Sequence, residues 1–165
     1  MNVSVAVTKN WGIGYENKLL FHIKEDLQRF KNLTTGKTVV MGHGTLKSLP
    51  KSQPLPNRDN IVLSKNKSLI IPDAVVCNSV DSLMEMLKPR NPDDIFIIGG
   101  EAVYSRLLSK CTTAYVTKIY SSPPADKFFP NLDSIPGWNL SWESDMKQAD
   151  GVSYKFCVYS AICAY

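Results

Sequence analysis

Histidine is nearly absent from this chain of 165 residues: only His22 and His43 occur. Neither stands at metal-ligand spacing from the four cysteines, Cys77, Cys111, Cys157 and Cys163, and no two of these form a CxxC pair. The sequence therefore offers no zinc site and no Cys/His nucleophile of known spacing. It has no GxSxG elbow and no paired-carboxylate signature, which argues against acyl transfer and glycoside hydrolysis. Long apolar runs are missing, so no membrane span is expected. The first seven residues are too short and uncharged for a signal peptide and read as a strand. The net charge is +4 without a basic stripe, which excludes a nucleic-acid binder as the natural reading. There is no GxxxxGK[ST] motif, and Gly12 and Gly14 lack the third glycine of the dinucleotide fingerprint because position 17 is Asn17.

What is present is an ordinary globular composition, 44% apolar and 21% charged. The length suits a single domain over residues 1–165 with a core that needs neither metal nor disulfide. Free, mostly buried thiols fit a reducing compartment, so a cytoplasmic protein is expected.

Strand-like and helix-like segments alternate. Strands are read at residues 3–8, 37–41, 60–64, 72–77, 94–98 and 114–120. A short helix is expected from Thr45 to Leu49. Another follows Ser79, a plausible N-cap, with Val80, Leu83, Met84 and Leu87 spaced for one face. A further helix runs from Glu101 to Ser109. Residues 9–18 form a connection with two glycines, polar enough to be exposed. Ile95 to Ile98 has no polar alternation, so both faces of that strand should be covered. From Trp138 onward the chain reads as a hairpin around Asp150-Gly151, with Tyr154, Phe156, Val158 and Ile162 on one face. The pattern predicts an α/β fold with a mainly parallel sheet and an antiparallel C-terminal edge. Ligands bind such sheets outside the carboxyl ends of the strands, where this chain keeps Gly42, Gly44, Gly99 and Gly100.

The helix over residues 19–35 carries one residue out of pattern. On a helical wheel Ile23, Leu27, Phe30 and Leu33 make an apolar arc, with Lys24, Glu25, Gln28, Arg29 and Lys31 outside it. Asp26 falls inside. A carboxylate there is either a first-turn structural group favoured by the helix dipole, or a group whose partner is a ligand. The turns from Gly42 to Thr45 and from Gly99 to Tyr104 each lead a strand into a helix. They are either plain connections or places where backbone N–H groups meet phosphates, and two on neighbouring strands would suit a dinucleotide. Arg58, after Leu55-Pro56-Asn57, is either a solvated arginine or a clamp for a carboxylate. Thr117 can turn its hydroxyl inward. One inward carboxylate, two phosphate-suited turns and an anion clamp fit a reaction in which a cofactor supplies the chemistry.

In order and spacing, six segments resemble the dihydrofolate reductase family. They are Gly12 to Asn17; Asp26 with Leu27 and Phe30; Val40-Met41-Gly42 with Thr45; Leu55 to Arg58; Ile97 to Gly100 with Val103 and Tyr104; and Phe129-Pro130. The resemblance implies an eight-stranded mixed sheet with about four flanking helices. It implies reduction of 7,8-dihydrofolate to tetrahydrofolate with NADPH, no metal, and a monomer as the default. Asp26 matches the carboxylate that binds the 2-amino group and N3 of the pterin, and Thr117 its hydrogen-bond partner. Ser4, Val5, Ala6, Leu27, Phe30, Leu49, Leu55 and Ile98 match substrate-pocket positions, and Arg58 the arginine for the glutamate α-carboxylate. Ala6, Ile13, Gly14, Asn17 and Leu19 match cofactor-binding positions. Gly42, His43, Gly44 and Thr45, then Leu63, Ser64 and Lys65, match cofactor positions. So do Ile98, Gly99, Gly100, Glu101, Ala102, Val103 and Tyr104, with a cis peptide at Gly99-Gly100. Residues 9–18 and their continuation match the active-site loop.

Three departures stand out. Leu20-Phe21 replaces the family's usual Pro-Trp, and Phe21, in the catalytic set, cannot donate to a water as an indole N–H does. His43 and Ala102 stand where basic residues usually read the cofactor's 2′-phosphate, with Lys65 left to supply charge. Ser4 takes a usually aliphatic position, which, with Phe21, points to altered antifolate (trimethoprim) binding. Two other readings share parts of this pattern: a riboflavin-type pyrimidine reductase and a folate- or nucleotide-binding module without turnover.

Overall fold

The structure is a computed structural model that describes residues 1–162. Twelve strands and four α-helices follow one another among the described residues. Strand β1 (Asn2–Val7) is central. β4 (Thr38–Gly42), β5 (Asp59–Leu63), β6 (Ala74–Cys77), β7 (Ile95–Gly99) and β8 (Thr113–Ile119) complete the parallel part. β10 (Trp138–Glu143), β11 (Lys147–Ala149) and β12 (Val152–Ala161) form the antiparallel edge. The order is β10-β12-β8-β1-β7-β4-β5-β6, with β11 also paired to β12. Hydrogen bonding thus counts nine strands in this sheet where eight were expected. The long β12 takes β11 against its first residues and β10 against its last.

The expected mixed sheet, mainly parallel, is borne out. Asp150 and Gly151 both adopt positive φ (51° and 78°), the backbone required by a two-residue hairpin of the primed type. β7 is covered on both sides as its unbroken apolar run predicts: Ile95 and Ile97 join one core, Phe96 another. The single-parity reading of β12 fails in part. Cys157 and Tyr159 are as buried as Tyr154 and Phe156, because both faces of β12 are covered: Tyr159 packs on Trp11 in the continuous core, and Tyr154 and Phe156 join the Ile23 cluster on the other side. Ile162 is 54% exposed and lies beyond the strand.

Residues 9–18 are not simply a connection. β2 (Gly12–Tyr15) and β3 (Lys18–Leu19) form a hairpin that closes on Glu16 and Asn17, both at positive φ, and β2 pairs with β9 (Lys127–Phe128). This makes a second, three-stranded antiparallel sheet. Trp11 is buried beneath it, stacked on Phe129 at 6.3 Å.

The helices are α1 (Lys24–Thr34), α2 (His43–Ser48), α3 (Val80–Leu87) and α4 (Glu101–Leu107). Ser79 caps α3 by accepting from the Ser82 amide at 3.1 Å, as read. α2 starts two residues earlier than expected, directly at His43, because Gly42 already serves as its N-cap. Cys77, Cys111 and Cys157 are buried free thiols, and Cys163 lies outside the described residues. Among the described residues no helix is long and apolar enough to cross a membrane.

The two faces of the main sheet are packed differently. On one, Val3, Val7, Ile95, Ile97, Val116, Leu83 and Leu107 belong to a single continuous core. On the other there are two separate clusters, one around Met41, Val62 and Phe96 and one around Ile23, Ile119, Tyr154 and Phe156. Between them lie Ser4 and Ala6, only half-buried although β1 is paired on both sides. The gap in the core, beneath α1, is the cleft.

Candidate active site

α1 closes the cleft without filling it. Its only fully buried residue is Thr34, while Leu27 is 46% exposed and Phe30 half-buried. The wheel placed Leu27 on a core-facing arc. The structure turns that arc toward an opening, so the apolar stripe is a wall and not a core face. Ile23 is the N-cap residue and has no capping side chain. Asp26 does not supply a cap. Its Oδ1 accepts from the Thr117 hydroxyl on β8 at 2.5 Å, and Thr117 is itself buried. Register explains the meeting: Thr117 pairs with Ala6 on one side and Phe156 on the other, and shares the α1 face with them.

Burial drives the Asp26 carboxyl above the usual carboxylate range, against the Thr117 hydrogen bond and the positive charge of Arg29. Phe21 packs half-buried beside Ala6 in the cluster of Ile23 and Phe156, with no polar atom to offer. Ser4 and Ala6 point into the gap. Val5, of opposite parity, packs against the continuous core on the far face, as does Ile13. Leu49, Leu55 and Ile98 line the other side of the gap, half-buried on the cluster of Met41.

Arg58 extends from the rigid segment after Pro56. Its Nε donates to the Thr34 hydroxyl at 3.2 Å, and that hydroxyl donates to the Phe30 carbonyl at 2.8 Å. One guanidinium nitrogen donates to the Pro56 carbonyl at 2.9 Å, and the group lies 6.0 Å from the Phe30 ring centre. Among the described residues no carboxylate pairs with it. The group is fixed from the helix that carries Asp26, with hydrogen-bonding capacity left for an anion.

The two glycine turns lie side by side, as their neighbouring strands require. Met41 pairs with Gly99, and Gly42 with Leu63, so three strand ends open together. The peptide between Gly99 and Gly100 is cis. Gly99 has φ +127°, and a Cβ there would come within 3.2 Å of the Thr45 hydroxyl oxygen. A Cβ on Gly42 would meet a Val103 methyl at 3.2 Å. Around Gly44 there is open space, with Ser64 half-buried and Lys65 exposed at the next strand end. A cradle kept bare of side chains, flanked by a cation, fits an extended phosphate-bearing cofactor. α2 and α4 are short, so strand-end geometry carries more of this fit than helix dipoles do. His43 is half-buried and Ala102 exposed, which leaves Lys65 as the plain cation among the predicted cofactor positions.

Several predicted residues have other work. Val103 and Tyr104 are buried in the continuous core, and the Tyr104 hydroxyl donates to the Ser4 carbonyl at 2.8 Å. Glu101 accepts from the Phe128 amide at 2.8 Å, tying α4 to the second sheet. Asn17 and Leu19 are exposed on the β2–β3 hairpin, and Gly14 pairs with Leu19. Sequence reasoning missed Asp126, whose carboxylate accepts from the Glu16 amide at 3.0 Å and whose amide donates to the Gly14 carbonyl at 3.0 Å. It also missed Arg29, placed outside the arc but stacked against Phe156 and Tyr115. No local pattern marks either residue, since both partners are distant in sequence.

A family model described as dihydrofolate reductase matches residues 1–161. A dihydrofolate reductase of Staphylococcus aureus is 36% identical over 158 residues, covering 94% of each chain. A bifunctional dihydrofolate reductase-thymidylate synthase of Paramecium tetraurelia is 34% identical over 154 residues; the match covers 92% of this chain but 32% of that longer protein. Among solved structures, a dihydrofolate reductase from Enterococcus faecalis complexed with NADP(H) and RAB-propyl superposes with a TM-score of 0.83 at 27% identity. That match covers 97% of this chain and 95% of the other. Neither a pyrimidine reductase nor a binding module without turnover is favoured by these likenesses. The family model's match from residue 1 to residue 161 shows that the chain belongs to the dihydrofolate reductase family.

Proposed function

We propose that Asp26 is the residue on which this chain's reaction, the NADPH-dependent reduction of 7,8-dihydrofolate to 5,6,7,8-tetrahydrofolate, depends. The observation that supports it is a carboxylate aimed into a gap in the core and held by a buried hydroxyl at 2.5 Å. The pterin 2-amino group and N3 present donors to such a carboxylate. Its negative charge favours the substrate carrying a proton at N5, which makes C6 an electrophile. Thr117 fixes the orientation of the carboxylate. Leu27, Phe30, Leu49 and Ala6 keep water from the ring and strengthen the interaction. Arg58 receives the α-carboxylate of the substrate's glutamate. NADPH supplies the hydride when bound; Gly42 to Thr45, Leu63 to Lys65 and Gly99 to Tyr104 hold it at the neighbouring strand ends. Phe21 donates no hydrogen bond, so proton delivery does not use that side chain.

We read the chain as one domain over residues 1–165, acting as a monomer. The buried free thiols of Cys77, Cys111 and Cys157 suit the cytoplasm.

Loss of reduced-nicotinamide absorbance on mixing with dihydrofolate and NADPH tests the reaction. Asp26→Asn should lower kcat/KM about 100-fold or more at neutral pH, and less at pH near 5, where substrate arrives protonated. Undiminished turnover in that variant would remove Asp26 from its role.

A further inference from the structure

Arg29 follows Asp26 by three positions on α1, so the two side chains leave the helix on adjoining faces. Its guanidinium carbon lies 4.5 Å from the ring centre of Phe156 and 5.7 Å from that of Tyr115. These rings belong to β12 and β8, the strands that flank the Asp26–Thr117 contact. Among the described residues no carboxylate is within ion-pair reach of Arg29. A half-buried cation without a paired anion is costly unless its surroundings favour positive charge, which the faces of two aromatic rings do.

The groups around this pair are few. From β8, Asp26 meets the Thr117 hydroxyl; from α4 and β12 it faces Tyr104 and Tyr154, whose hydroxyls burial keeps neutral at physiological pH. Its sequence neighbour Glu25 is already paired with Lys147 at 2.9 Å and with Tyr154. Arg29 itself faces the Tyr115 and Phe156 rings, while the Cys157 thiol belongs to the core on the opposite face of the sheet. Lys147 of β11 lies across the same Phe156 ring, 5.5 Å from its centre. Arg29, three positions along the helix, is the cation whose charge offsets part of the effect of burial on the Asp26 carboxyl.

We propose that Arg29 is a positioning residue for the reaction: held against the Tyr115 and Phe156 rings three positions along α1 from Asp26, it supplies a positive charge that favours the ionised form of that carboxylate in an otherwise apolar site. This rests on the reading of Asp26 as the substrate-binding carboxylate and deepens it. A purely structural arginine would fill the same helix–sheet space with its stem, and its charge would be irrelevant.

The test is a carbon-13 carboxyl titration of Asp26 in the ligand-free full chain, comparing wild type with Arg29→Lys, Arg29→Gln and Arg29→Met. The two neutral variants should titrate Asp26 at higher pH than wild type, and Arg29→Lys close to it. In turnover with dihydrofolate and NADPH, the pH above which kcat/KM declines should move upward in the same two variants. Neutral variants that titrate with wild type would overturn the proposal. So would loss of the fold in both of them, because methionine keeps the apolar stem and a charge-setting role leaves packing to that stem. The ligand-free titration does not depend on turnover. An inactive wild type with a displaced Asp26 midpoint in the variants would overturn the reaction and leave the electrostatic pairing standing.

Discussion

Glu25 and Asp26 are adjacent in the first turn of α1, and their surroundings drive their carboxyls in opposite directions. The Tyr154 hydroxyl and then the Lys147 ammonium hold Glu25 below the ordinary glutamate range. Burial lifts Asp26 above the ordinary aspartate range, and Thr117 and Arg29 only partly offset it. One residue along a helix turns a side chain by about 100°, which is enough to separate solvent from cleft.

These shifts predict stability profiles of opposite sign. A depressed folded pKa stabilises above the unfolded value, so the advantage of wild type over Glu25→Gln should be present at neutral pH and fade as pH falls. A raised folded pKa stabilises below the unfolded value, and that contribution is lost as pH rises through the folded pKa. Asp26→Asn should therefore gain on wild type as pH is taken from 4 to 8. Urea unfolding across that range reads both; a relative loss for Asp26→Asn at high pH would contradict the burial argument.

Thr117→Val keeps the volume and β-branching of β8 but deletes the hydrogen bond that lowers the Asp26 pKa. Turnover at neutral pH should fall about tenfold or more, in keeping with about 1.5–3 kcal/mol for a hydrogen bond to a charged group. The Asp26 titration should move to higher pH. Unchanged kinetics would mean that the hydroxyl is not needed to hold the carboxylate.

Gly99→Ala should damage both fold and cofactor binding. Its φ of +127° is costly for any side chain, and the new methyl would press on the Thr45 hydroxyl from 3.2 Å. A loss of about 1–3 kcal/mol in stability is expected, with NADPH affinity down tenfold or more. Gly44→Ala, where a Cβ meets nothing within 4 Å, is the control for stability. Equal stability of the two variants would dismiss the crowding argument.

His43 and Ala102 leave little fixed positive charge for a 2′-phosphate, with exposed Lys65 the remaining cation nearby. Preference for NADPH over NADH should be modest, on the order of tens- to hundredsfold in kcat/KM. A ratio of several thousand would show that charge elsewhere does this work.

Ser4 brings a hydroxyl into the gap, and Phe21 removes a donor from it. Weakened trimethoprim inhibition is expected, with Ser4→Ile and Phe21→Trp each shifting the inhibition constant. Tight inhibition of the wild type would argue that neither position shapes the drug pocket.

The sequence by itself determined the α/β alternation, the covered β7, the Ser79 cap and the Asp150-Gly151 hairpin. Each of these follows from apolar periodicity or from local backbone chemistry within a few residues. It also singled out Asp26, because a carboxylate breaks an apolar arc visibly. The partition of the core on one sheet face was not legible, since it depends on which strands become neighbours. That partition turned the arc of Leu27 from core to cleft wall and left Ser4 and Ala6 facing a gap. Nor could the sequence show that residues 9–18 would pair with a strand more than a hundred positions later, or that Asp126 would tie them down. The pair of charges at Asp26 and Arg29 belongs with these. Helical spacing brought the two residues to adjoining faces, but only the packing of β8 and β12 against α1 set Thr117 against the carboxylate and two aromatic rings against the arginine.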